Sequence, residues 1–426
     1  MFLLELLYII IWGLGIFFFV RIIQKPELIY YYPYIISFGF AVFLLPQVYV
    51  IYEKMPFSVD ATNRLFLMTV LCWLMSFAGW YLYKPQSFLF KKTYLNDCNE
   101  QKLGFVGCVF VVVGMAFNFV AFQIFKTTEF DGQQATGIVT IFTFFSQLLF
   151  LGTGLCLALW FKNKTSLVRL FAVIGLLYCF YIGVLQGRRQ QTLYALFVVG
   201  VPLYLWYYIK PSRILVVLAL VGAFLLVPSM DQYRRILKKS EDVTQFFSSV
   251  VSEIDYIKNL KESYVKSESM ELVNAGYKID YAYRSGEYRT GFDYWNKLVF
   301  RFIPSQLLGK EFKESLMIKG SVFSELGKKT KERYNPNYIL GTTETGIADA
   351  FVQFDYFGCL FFLFLGMFMK RMWVTTEETK NPFLQTFYSI LLIDCLIALT
   401  HGTEFFFPAF LSSFVFLYIA NKYARL

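Results

Sequence analysis

The sequence has one histidine in 426 residues, and its seven cysteines are scattered, with no C-x-x-C pair. Neither a zinc site nor a disulfide framework can be read from that set. There is no glycine-rich nucleotide loop, no D-x-D, no H-E-x-x-H and no G-x-S-x-G. An ATP-driven pump or a transferase using a metal-held sugar nucleotide is therefore not expected. Charge is scarce as well, at 16% against about 25% in soluble domains. What fills the chain is apolar: 57% hydrophobic and 20% aromatic, with 50 Phe and 30 Tyr, and a mean hydropathy of +0.50. No water-soluble core hides that much apolar surface, so a soluble enzyme, a disordered chain and a secreted scaffold are excluded. The apolar residues form solid runs near the length of a membrane-crossing helix, without the alternation of a β-barrel. The expected class is an all-α polytopic membrane protein.

Eleven candidate spans lie near 2–20, 28–51, 65–83, 103–125, 137–161, 168–186, 190–209, 213–230, 346–369, 383–400 and 402–420. The first lacks a leading basic stretch and a small-residue cleavage site, so it reads as a retained span. The chain divides into an N-terminal bundle (1–230), a long polar segment (231–345) and C-terminal helices (346–426). Outside the long segment, sixteen Lys and Arg fall on one side of the membrane and five on the other. Basic residues accumulate on the cytoplasmic side, which puts the long segment outside. That segment is nearly balanced, with nineteen Lys and Arg against sixteen Asp and Glu. Two amphipathic helices are expected in it, over Val243–Val265 and Phe292–Leu308, capping the bundle with their basic residues outward.

Four clusters stand out on the outer side. In Gln186-Gly187-Arg188-Arg189-Gln190-Gln191 the arginines could merely flank a helix, but they sit on the side that otherwise avoids positive charge. A guanidinium fork matches phosphate oxygens, and a helix start adds its own partial positive charge. Asp231-Gln232-Tyr233-Arg234-Arg235 is read equally as a functional patch or a basic interface helix. Arg301, in an apolar stretch, needs a nearby anion. Gly341-Thr342-Thr343-Glu344-Thr345-Gly346-Ile347-Ala348-Asp349 opens a span, capped by Thr342 or Thr345. Glu344 there could simply complement the helix dipole, whereas Asp349 lies at a depth where acids usually face a cavity. The last cluster, His401-Gly402-Thr403-Glu404, holds the single histidine. A lone histidine is more often structural, yet His401 or Glu404 near a hydroxyl could act as a base. Asp394 is a further intramembrane acid.

Three features give the chain a resemblance to the O-antigen polymerase (Wzy) family. They are Gly187-Arg188-Arg189 opening a span, one large late extracytoplasmic segment, and Gly346 to Gly358 leading into an apolar span that stops at Lys370-Arg371. The resemblance covers most of the chain as architecture and only short patches as sequence. An O-antigen ligase is similar in outline, though its hallmark histidine lies in a large loop and His401 lies in a short turn. The resemblance implies a cell inner membrane glycosyltransferase that needs no metal or other cofactor. Its substrates would be undecaprenyl-diphosphate-linked oligosaccharides, and a flippase and a chain-length regulator would be partners, beside membrane lipids and without nucleic acid. Arg188 and Arg189 would receive the diphosphate, helped by Arg234, Arg235 or Arg301. The base would come from Asp349, Glu344, His401 or Glu404. The reading from another class is a flippase or polysaccharide exporter, but the halves of this chain are unlike and no internal repeat is visible.

Overall fold

The computed structural model describes the chain apart from residues 85–97, 128–137, 164, 186, 240–242, 266–270, 319–324, 335–337, 339–343 and 426, and some side chains adjoining these or within helices. The apolar runs are helices, and no strand occurs among the described residues. In chain order they are α1 (Phe2–Gln24), α2 (Tyr32–Lys54), α3 (Val59–Leu82), α4 (Glu100–Ile124), α5 (Val139–Asn163) and α6 (Ser166–Gly183). Then come α7 (Arg189–Tyr207) and α8 (Arg213–Lys239). The long segment contributes α9 (Val243–Glu253), α10 (Tyr256–Val265), α11 (Glu271–Ser285) and α12 (Phe292–Phe302). The chain closes with α13 (Thr345–Phe354), α14 (Leu360–Thr379), α15 (Pro382–Thr400) and α16 (Phe406–Tyr423).

Among the described residues, nine helical stretches are long and apolar enough to cross a membrane: α1 to α6, α13 with α14, α15, and Thr403–Tyr423. The protein is a multi-pass membrane protein of all-α class. The other two expected spans are also helical. α7 opens on Arg189, Gln190 and Gln191, and α8 is apolar over Arg213–Leu226.

Lipid is as apolar as leucine, so helices in a bilayer associate through close packing and hydrogen bonds. Both devices are present. A Cβ on Gly79 of α3 would stand 2.0 Å from the Leu363 carbonyl oxygen of α14, so these helices touch backbone to backbone. Trp73 Nε1 donates to Ser37 Oγ at 2.8 Å, and Tyr388 OH donates to the Tyr30 carbonyl at 2.8 Å. α15 is the central helix: every side chain from Pro382 to Leu399 except Ile397 is buried. Its neighbours include α2, α5, α7, α13, α14 and α16. α1, α4 and α6 expose leucine, isoleucine and phenylalanine, for example Ile9, Phe105 and Leu177, as helices facing acyl chains do.

Both expected helices of the long segment form. The first breaks at Ile254–Asp255, where Asp255 accepts from Lys258 N at 2.9 Å and starts α10. The second ends at Phe302, just before Pro304, whose ring prevents continuation. α11 has no counterpart in the sequence reading. It is polar on average, yet Leu272 to Ala282 is buried apart from Lys278. It packs against α3 and α13. Its charges find partners there: Asp280 pairs with Arg64, and Lys278 pairs with Glu344.

Candidate functional site: an arginine-lined cavity beneath the α7 start

Gly187 has φ 64°, a left-handed conformation that costs other residues steric strain. The turn it makes delivers Arg188 as the extended residue before α7. No side chain caps this helix start, so its backbone N–H groups and their partial positive charge point at whatever lies in front. Gln190, Gln191 and Tyr194 follow on the same side.

α12 arrives from the opposite direction. Tyr294, Lys297 and Arg301 are spaced three and four apart, one face of a helix, and this face turns inward. Tyr294 OH shares a hydrogen bond with Thr403 Oγ1 at 2.9 Å. Lys297 is buried; its Nζ lies 3.9 Å from Glu404 Oε1 and 3.6 Å from the centre of the Phe405 ring. Arg301 stacks on Phe144 at 5.3 Å. The expectation that the basic residues of this helix face outward is reversed for these two. The helix closes the end of the bundle, and its exposed side carries Trp295 instead. Burial holds the pKa of Lys297 and that of Arg301 below their ordinary values.

Between these elements lies a cavity of about 190 Å³. α7 lines it with Arg188, Gln190, Gln191 and Tyr194, and α12 with Arg301. α15 contributes Asp394, and Asn118, Gln147 and Ser413 come from the surrounding helices. Small-molecule sites usually run to roughly 300–1,000 Å³; this hollow suits a compact anionic group rather than a whole glycan. No ion pair joins Arg301 to a carboxylate among the described residues. A partly buried guanidinium with no ion-pair partner among the described residues stays charged and makes a strong anion receptor.

No family model, curated protein or solved structure matches the chain.

The candidates from the sequence separate into three groups. Arg188 and Arg301 line the cavity. Arg189 and His401 do not line it; His401 lies close to Arg189 and to Lys297, a residue the sequence did not single out. His401 Nδ1 bonds Thr400 Oγ1 at 2.9 Å, and the ring keeps an exposed edge. Crowding by protein atoms, then the charges of Arg189 and Lys297, pull its pKa down to about 4. Arg235 is exposed on α8 and does not line the cavity, and the side chain of Arg234 lies outside the described residues. The acids form the third group. Asp349 is buried and accepts from Thr403 Oγ1, from Glu404 N at 3.2 Å and from Gln353 Nε2 at 3.1 Å. Gln353 Nε2 also donates to Asp293 at 2.9 Å. Glu344 accepts from Lys278 and from Tyr338 OH. Burial lowers the Lys278 pKa, but the Glu344 and Asp349 carboxylates outweigh it, and the net shift is upward. These acids tie α11 and the turn after α15 to α13. The Thr345 hydroxyl accepts from Ala348 N at 3.5 Å in the first turn of α13, whereas Thr342 lies outside the described residues.

The sequence showed Asp394 as an intramembrane acid but not its partners. It is 3% exposed. One carboxylate oxygen accepts from Tyr194 OH, which itself accepts from Gln190 Nε2 at 3.0 Å. The other oxygen is buried without a hydrogen-bond partner.

Proposed function

We propose that the protein is an integral membrane glycosyltransferase of O-antigen polymerase type. It extends a surface polysaccharide by joining undecaprenyl-diphosphate-linked oligosaccharide repeat units, at the outer side of a bacterial inner membrane. The observation that carries this reading is the convergence of Arg188 and Arg301, distant in sequence, on one cavity at an uncapped helix start. Cleaving the glycosyl–diphosphate bond puts negative charge on the leaving diphosphate, and fixed donors in a water-poor site stabilise such charge best. The lipid tail of the donor would remain in the bilayer while its headgroup meets the arginines. Arg189 adds long-range positive potential, and the tyrosines of the long segment offer ring faces to sugars.

The test is surface-glycan profiling in the host strain. Deletion of the gene should leave single repeat units on the lipid anchor. Arg188→Met or Arg301→Met expressed from a plasmid should reach the membrane at normal level and fail to restore long chains. Long glycans made by both variants, or no surface glycan at all in the deletion strain, would refute the reading.

A further inference from the structure

Glycosyl transfer needs a destination for the proton of the acceptor hydroxyl, and the reading above leaves that destination open. The other acids are occupied or misplaced. Both oxygens of Asp349 and both of Glu344 already accept hydrogen bonds. Glu404 keeps one buried oxygen without a partner, but it faces Lys297 and does not line the cavity. His401 does not line it either.

Asp394 does. It sits six residues before the Thr400 end of α15, about 9 Å along the axis at 1.5 Å per residue. That is hydrocarbon depth, where an acid is costly and faces a cavity. Its bound oxygen is fixed by Tyr194, and Tyr194 is fixed in turn by Gln190, one turn earlier on the same helix. This is the arrangement of an oriented base: the reactive oxygen is free and the other is held by a relay. The relay begins on the same helix start that supplies Arg188, so one short sequence, Arg188 to Tyr194, carries both the anion receptor and the orienter. The charged or titratable groups around the cavity are Arg188 and Tyr194 from α7 and Arg301 from α12. α5 and α16 present neutral Gln147 and Ser413.

We infer that Asp394 is the general base of the transfer, a deduction that rests on the proposed polymerase reading. The free oxygen of Asp394 takes the proton of the acceptor sugar hydroxyl as that hydroxyl oxygen bonds to the anomeric carbon of the donor. The bond from that carbon to the diphosphate oxygen breaks, and its electron pair leaves on the diphosphate, held by Arg188 and Arg301. The proton then passes from Asp394 to the released diphosphate or to water, and the carboxylate is restored. Tyr194 and Gln190 are positioning residues.

The experiment uses the full-length protein in lipid nanodiscs with the host's lipid-linked repeat unit, measuring donor affinity and the rate of extension against pH. Asp394→Asn keeps the hydrogen bond from Tyr194. It should slow extension by about 100-fold or more, the usual loss with a general base, while donor Kd stays within about threefold. The acidic limb of the rate profile should vanish. Tyr194→Phe should lower the rate and move that limb, which a packing role would not do. If Asp394→Asn binds donor and extends at the wild-type rate, the proposal is overturned and the arginine cavity stands. Should Asp394→Asn fail to elute as the wild type does, Tyr194→Phe decides, and an unmoved limb overturns the proposal. A wild-type protein that neither binds donor nor extends it would overturn the polymerase reading as well.

Discussion

Replacing Asp349 by Ala separates two roles that the sequence leaves equal, a base and a structural knot. The buried carboxylate accepts from three groups on two parts of the chain: the Thr403 hydroxyl and the Glu404 amide in the turn after α15, and the Gln353 side-chain amide on its own helix. Alanine removes both acceptor oxygens and leaves the three donors in a poorly hydrated place. Each stranded donor costs about 1–3 kcal/mol. Gln353 retains Asp293, so the sum falls at the low end. Thr403 Oγ1 retains Tyr294 OH, so one donor is stranded fully and two in part, and the loss is about 2–4 kcal/mol, as expected for a broken buried network. The assay is the temperature at which half the detergent-solubilised protein ceases to elute as a monodisperse peak. The Ala variant should fall well below the wild type. Asp349→Asn, which keeps one acceptor oxygen, should fall less and keep measurable chain extension. An Ala variant with wild-type thermal stability and no extension would refute the reasoning and return Asp349 to the bases.

Arg64→Met leaves Asp280, fully buried, with the more exposed Arg284 at 2.8 Å as its remaining ion-pair partner among the described residues. Breaking a buried pair costs about 3–5 kcal/mol; the remaining arginine keeps the loss near 3, and Arg64→Met/Asp280→Leu should recover most of it in the same elution assay. Equal instability of single and double variants would mean the pair is not what holds α11. His401 gives a pH dependence of known sign. It protonates near 6.5 when unfolded and at about 4 when folded, so between those values the unfolded chain binds more protons. Stability should fall as pH drops from 6.5 towards 4, and His401→Gln should flatten that slope. An identical slope in the variant would contradict the placement of His401 beside Arg189 and Lys297.

Much of this was legible because membrane helices are written in long apolar runs, and those runs became helices where expected. The α7 start was legible for a different reason: paired arginines on the poorly charged side demand an explanation. Arg301 could be suspected from its apolar surroundings, but only the turn of α12 shows that it and Lys297 point inward. α11 was hidden because its buried length is polar on average and its apolar positions include small residues such as Ala275 and Ala282; Asp280 and Lys278 are satisfied by Arg64 and Glu344, and such pairing depends on residues far away in sequence. Asp394 was visible as a buried acid, but nothing local reveals that Tyr194 holds one oxygen and that the other has no hydrogen-bond partner. Asp349 and Glu344 show the converse: acids at membrane level attract a catalytic reading, and here tertiary hydrogen bonds use up their lone pairs.

The central claim is that Arg188 and Arg301 grip one diphosphate. Calorimetric titration of the purified protein with a soluble short-chain polyprenyl diphosphate tests it most directly. Each charge-assisted hydrogen bond contributes about 1.5–3 kcal/mol, roughly 10- to 150-fold in Kd. Arg188→Met and Arg301→Met should each weaken binding by a factor in that range, and Arg235→Ala should leave it unchanged. Undiminished affinity in the Arg188→Met/Arg301→Met double variant would contradict the account.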